Sequence, residues 1–151
     1  MNSDRNTINI CDCKVLAHYH FKGEQYILTF ASEEISKSTL PGQFVHITVS
    51  NELEMRRPFS VMSVDEESNT FDILYKVVGE GTRQLSESKI GDVLSVIGPI
   101  GNGFKLSDKK NPLLIGGGVG MPPMIAIAQK IKANDYYQPF VILGSEVPFP
   151  F

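Results

Sequence analysis

The sequence predicts an all-β, six-stranded antiparallel Greek-key barrel followed by an incomplete α/β (βαβ) domain. Three observations lead there. Up to about residue 110 every apolar segment is short, rich in β-branched and aromatic residues, and bounded by turn formers, as in closed antiparallel sheets. From residue 112 the pattern changes to an apolar strand, a glycine run, a helix-period stretch and a second apolar strand, which is one βαβ unit. The length of 151 residues accommodates one full domain, assigned to 1–110, and only the start of a second, assigned to 111–151.

The barrel strands are expected over residues 14–21, 25–31, 43–49, 59–64, 71–78 and 93–97. Lys22-Gly23, Pro41-Gly42, Glu67-Ser68-Asn69 and Gly91-Asp92 separate them, residues that turn the chain through positive φ or a preset proline angle. One helix is expected between strands, over 82–88, with Thr82 as N-cap and Gly91 as stop. In the second unit the strands are expected at 112–115 and 140–143, with a helix over 121–132 between them. A parallel pair is stable when both its faces are covered. The apolar, proline-spaced ending VPFPF at 147–151 therefore reads as an interrupted connection, with the remaining strands expected from a longer chain or from another chain.

Composition narrows the function classes. With 42% hydrophobic and 21% charged residues the chain can build a core and is not of disordered type. Asp+Glu 17 against Lys+Arg 14, with no basic run, argues against a nucleic acid partner. No apolar stretch reaches the roughly 20 residues of a bilayer-spanning helix, and the polar start MNSDRNTIN lacks the layout of a signal peptide, so no membrane span is expected and the cytoplasm is the expected location. The two cysteines, Cys11 and Cys13, are too close for a useful disulfide and too few for a four-ligand site, and reduced thiols are expected.

Four constellations could carry chemistry. In Arg56-Arg57-Pro58-Phe59-Ser60 a guanidinium fork fits a phosphate, and Pro58 holds the backbone that aims it and the Ser60 hydroxyl. Two solvated arginines before an edge strand would give the same string. Leu74-Tyr75-Lys76-Val77-Val78-Gly79-Glu80-Gly81-Thr82 runs from a strand through glycines into a helix, so the backbone N–H groups at Gly81 and Thr82 could cradle an anion, or the glycines could simply make the turn. Gly98-Pro99-Ile100-Gly101-Asn102-Gly103-Phe104 is a glycine-rich strand exit that a turn alone would explain. Gly116-Gly117-Gly118-Val119-Gly120-Met121-Pro122-Pro123 follows a strand and opens a helix, as a dinucleotide-binding turn must, with proline where the usual fingerprint has its third glycine. His18, His20 and His46 fall in strand segments without the further ligands a metal site needs, and are expected to be core or surface residues.

Together, in this order, RRPFS, LYKVVGEGT, GPIGNGF and GGGVGMPP resemble the ferredoxin-NADP reductase-like flavoproteins, and among them the electron-transfer subunits that serve a catalytic dehydrogenase chain of pyrimidine synthesis. The resemblance spans nearly the whole chain. It implies that Arg57, Pro58, Phe59 and Ser60 bind FAD, with Arg57 on the pyrophosphate and Ser60 near the flavin ring. It further implies that Leu74, Tyr75 and Lys76 line the same cofactor, that Gly81 and Thr82 hold its phosphate, and that Gly116, Gly117, Gly118 and Gly120 face NAD(P). The family's subunit also carries a [2Fe-2S] centre on four cysteines near its C-terminus, ligands this chain does not have there. The expected function is thus a flavin-dependent NAD(P) oxidoreductase subunit passing electrons to a catalytic dehydrogenase. A ferredoxin- or sulfide-linked reductase subunit and a non-catalytic interaction barrel are the alternatives.

Overall fold

The computed structural model describes residues 8–50, 53–132 and 134–147; the first seven residues and the last four of the VPFPF ending lie outside the described residues. The chain opens with β1 (Asn9–Phe21) and β2 (Gln25–Ala31), then a short helix α1 (Glu33–Ser38) and β3 (Phe44–Ile47). There follow β4 (Arg57–Asp65), β5 (Thr70–Lys76), the helix α2 (Glu80–Ser86) and β6 (Val93–Ile100). These six strands close into a barrel in the order β1-β2-β5-β4-β3-β6, every pair antiparallel. β3, β4 and β5 are successive neighbours and β6 returns beside β3, which is the Greek-key arrangement expected.

The period of two along each strand builds the core. On β1, Cys13 and Val15 face inward while Asp12 and Lys14 face water. Leu28, Phe30, Val45, Ile47, Phe71, Ile73 and Val96 complete the barrel interior, with the Phe30 and Phe71 rings stacked at 5.1 Å. Ile35 of α1 and Leu85 of α2 are buried in the same core, so both helices belong to the barrel.

Several boundaries differ from the sequence reading, each for a local reason. β1 begins at Asn9, ahead of the expected start at Lys14, because Asn9 to Lys14 pair with β6. α1 was not expected; Ser32 caps it by accepting the Ile35 N–H at 3.2 Å. α2 starts before Thr82: its N-cap is Gly79, and Thr82 sits inside the first turn. There the Thr82 hydroxyl reaches back, accepting the Val78 and Gly79 N–H groups at 2.9 and 3.2 Å. β3 is shorter than 43–49, β4 is longer than 59–64 and takes in Arg57, and β5 ends at Lys76.

The second unit consists of β7 (Leu113–Gly117), a 3-10 turn over Gly118–Gly120, α3 (Met121–Lys132) and β8 (Phe140–Gly144). β7 and β8 pair in parallel, from Leu113 opposite Phe140 to Gly117 opposite Gly144. α3 covers one face through Leu114, Ile127 and Ile131. It also seats the unit on the outside of the barrel, where Met121 packs against Met62 of β4 and Leu74 of β5. The opposite face of the pair carries Leu113, Ile115, Phe140 and Ile142 at 58%, 63%, 66% and 57% exposure.

Candidate functional site

The site grows from the start of β4. The adjacent arginines are used differently. The Arg56 guanidinium donates to the Ser95 carbonyl at 2.8 Å and to the Ser95 hydroxyl at 3.0 Å, pinning the strand entrance to β6. Arg57 donates to the Met55 carbonyl at 2.8 Å and lies along the first turn of α2. A Cβ on Gly81 would sit 2.6 Å from Arg57 Nε and 3.1 Å from its Cγ, so only glycine lets the two meet. The helix start, whose first N–H groups lack intrahelical acceptors, is thereby set beside a guanidinium. That is a cradle for an anion such as a pyrophosphate.

Beside it opens a cavity of about 450 Å³. Pro58, Phe59 and Ser60 of β4, Leu74, Tyr75 and Lys76 of β5, Phe44 of β3 and Thr82 of α2 form its walls, with Val78 and Val119 at the rim. A second cleft of about 600 Å³ lies between β5 and the second unit, bounded by Gln25, Leu74, Tyr75, Lys76, Gly117, Gly118, Val119 and the segment from Gly144 to Val147. The two spaces share Leu74, Tyr75, Lys76 and Val119. Lys76 crosses the second cleft, its Nζ 3.0 Å from Glu146 Oε2. Tyr75 is buried, which pushes its phenol up from the ordinary value, with Tyr26 adding to the effect, and it stays a neutral hydroxyl at physiological pH.

The glycine run at the start of the second unit divides its labour. A Cβ on Gly116 would fall 2.8 Å from the Gly120 carbonyl oxygen and 2.9 Å from Met124 Cγ, so this glycine brings α3 close to β7. Gly118 adopts φ +51 and turns the chain, and it lines the second cleft with Gly117 and Val119. Gly116 is buried under the helix, and a Cβ on Gly120 would meet open space. The GPIGNGF segment serves as a brace. Gly101, at φ +90, presses on the Phe44 ring, and Gln43 Nε2 donates to the Gly101 carbonyl at 2.7 Å, backing one wall of the first cavity.

The remaining polar residues lie elsewhere. Cys13 is fully buried in the barrel, where desolvation pushes its thiol up to about 12, and burial raises the Cys11 thiol as well. His20 stacks on Tyr26 at 4.5 Å, and the His46 ring lies 5.5 Å from that of Phe44. Among the described residues no group of three or more His, Cys, Asp or Glu could hold a metal, so this part of the chain does not fit a [2Fe-2S] centre. FAD does fit: the Arg57–Gly81 cradle suits a pyrophosphate, and the cavity beside it is walled mostly by apolar groups. Sequence reasoning missed Phe44 and Glu146, which carry no local motif and join the site only through the fold, and passed over Val119 inside the glycine motif.

The chain belongs to a family of flavin-dependent oxidoreductases: the model of the oxidoreductase FAD-binding domain matches residues 12–104. Its sequence is 44% identical over 124 residues to the dihydroorotate dehydrogenase B (NAD(+)) electron transfer subunit of Caldanaerobacter subterraneus subsp. tengcongensis, covering 82% of this chain and 49% of that protein. The same subunit of Bacillus cereus (strain B4264) is 39% identical over 114 residues, covering 72% of this chain and 44% of that protein. The chain thus spans about half the length of the curated relatives it matches. Among solved structures, an NADH-dependent reduced ferredoxin-NADP oxidoreductase superposes with a TM-score of 0.83 at 31% identity, covering 91% of this chain and 50% of that one. A ferredoxin reductase of carbazole 1,9a-dioxygenase shares the fold, with a TM-score of 0.80 at 23% identity over 93% of this chain and 44% of that one.

Proposed function

We propose that this chain holds FAD in the cavity between β4, β5 and α2 and receives the nicotinamide of NAD(P)H in the adjoining cleft, as part of an electron transfer subunit for a dihydroorotate-oxidising dehydrogenase chain in pyrimidine biosynthesis. The observation that carries the reading is the shared lining: Leu74, Tyr75, Lys76 and Val119 border both spaces, so the two adjoin at these residues. The names of the 44% and 39% identical relatives supply the partner and the nicotinamide, and the reduced thiols suit the cytoplasm. We place the boundary between a FAD-binding domain and the beginning of an NAD(P)-binding domain near residue 110.

When bound, FAD supplies acceptance of a hydride and release of single electrons. The chain's own residues bind and orient. Arg57, with the turn at Gly81 and Thr82, would hold the pyrophosphate; Pro58, Phe59 and Ser60 would form one side of the ring site, and Leu74, Tyr75 and Lys76 the other. Gly117 and Gly118 would meet the dinucleotide, with Gly116 and Gly120 shaping their turn. The largely apolar walls limit water at the meeting point.

The test is the visible absorption spectrum of the purified chain before and after incubation with FAD, followed by anaerobic addition of NADH. Flavin bands that survive gel filtration and bleach with NADH support the reading. A folded sample that stays colourless after incubation with FAD overturns it.

A further inference from the structure

His18 of β1 has a ring held at both nitrogens. Nδ1 lies 2.9 Å from the Ser88 carbonyl oxygen, just beyond α2, and Nε2 lies 3.0 Å from the Tyr75 hydroxyl on β5. A carbonyl can only accept, so Nδ1 carries the hydrogen. In the neutral imidazole this leaves Nε2 as an acceptor, to which the Tyr75 hydroxyl donates. The ring of Tyr75 is confined from the sides as well. Tyr26, its cross-strand partner, stacks on it at 5.3 Å and 14°, and Phe59 meets it edge-on at 5.7 Å. The flanking rings restrict rotation about the ring axis, and the hydroxyl is the one polar handle that can hold the far end of the ring against a sideways swing. Tyr75 borders both clefts, whereas His18 lines neither.

We propose that His18 is a positioning residue: its Nε2 accepts the Tyr75 hydroxyl and so holds in place the ring that borders both the flavin cavity and the nicotinamide cleft. The role rests on the assignment of those clefts made above.

Two amide substitutions separate this role from simple bracing. In His18→Asn the side-chain amide nitrogen takes the place of Nδ1 and keeps the bond to Ser88, with nothing at Nε2. In His18→Gln the side-chain oxygen reaches the position of Nε2 and keeps an acceptor for Tyr75. The full chain is compared with both variants, with Tyr75→Phe, and with the His18→Asn Tyr75→Phe double variant. The readouts are FAD affinity, the shape of the bound flavin band, and the Tyr75 Cζ resonance of ring-labelled protein without FAD. We expect His18→Asn to weaken FAD by roughly threefold to tenfold, the range of one hydrogen bond, to alter the band and to move the resonance. His18→Gln stays near wild type, and His18→Asn adds nothing once Tyr75 is Phe. Equal losses in the Asn and Gln variants, or an Asn effect that persists with Tyr75→Phe, overturn the positioning role alone. A wild type that binds no FAD overturns the flavin assignment and the role together.

Discussion

Arg56 and Arg57 occupy consecutive positions and serve different ends: one pins β4 to β6, the other faces α2. Their variants should separate. Arg56→Ala loses two hydrogen bonds at a half-buried site and should cost about 1 kcal/mol, a drop of about 2–4 °C in melting temperature, with FAD affinity little changed. Arg57→Ala should do the reverse, weakening FAD about tenfold or more through the lost phosphate fork while the melting temperature of the apoprotein holds. Gly81→Ala sharpens the point. Alanine favours a helix over glycine by roughly 0.5–1 kcal/mol, yet its Cβ would displace Arg57. The apoprotein should therefore melt no lower, and FAD should bind more weakly. Calorimetry beside a flavin titration reads both quantities, and a Gly81→Ala variant with unaltered FAD affinity would sink the cradle. At this scale the residue types pointed to a phosphate fork, and the resemblance singled out Arg57, while the residues by themselves left the two arginines alike. Strand alternation sends neighbours to opposite sides, and the phase of β4 became visible only with its pairing to β3, Ile47 opposite Arg57.

Strands and turns were legible where the period of two was clean, as in β2, whose bounds match the expected 25–31. They were obscure where tertiary pairing decides, as at the start of β1, where Asn9 to Lys14 pair with β6. α1 escaped because six residues hold too little periodic pattern to read, and its evidence is a single cap at Ser32. The start of α2 was misplaced because Gly79 has no side chain with which to announce itself as a cap, while Thr82 is a cap-forming residue put to use inside the turn. The β4–β5 turn gives a pH test at this scale. The Asp65 carboxylate accepts the N–H groups of Ser68 and Glu67 and the Ser68 hydroxyl, and these bonds hold its pKa below the usual value. A carboxyl lowered in the folded state contributes stability above its unfolded pKa, about 3.9, and loses it as pH falls through the folded value. Asp65→Asn should thus melt below wild type at neutral pH, with the gap closing under about pH 4. A gap that stays constant down to pH 2 would remove the carboxylate from the account.

At the scale of the whole molecule, a barrel and a βαβ unit meet through Met62, Leu74 and Met121, with Ile27, Ile125 and Leu143 around them. The outer face of β7 and β8 remains apolar and open to solvent. Such patches bind apolar probes. Ile115→Lys with Ile142→Lys should lower the fluorescence of a bound hydrophobic dye several-fold and leave FAD retention unchanged; undiminished dye binding would put the apolar surface elsewhere. The change of pattern near residue 111 foretold a barrel followed by a βαβ unit, but not that the two spaces would be lined by the same residues, because that depends on where α3 lands on the barrel. The sharing constrains what can change. Leu74, Tyr75 and Lys76 line both pockets, so a substitution that reshapes one reshapes the other at once. Drift and redesign are left with the outer walls, Ser60 and Thr82 bordering only the first space and Gly117, Ser145 and Val147 only the second, where each wall can be rewritten alone.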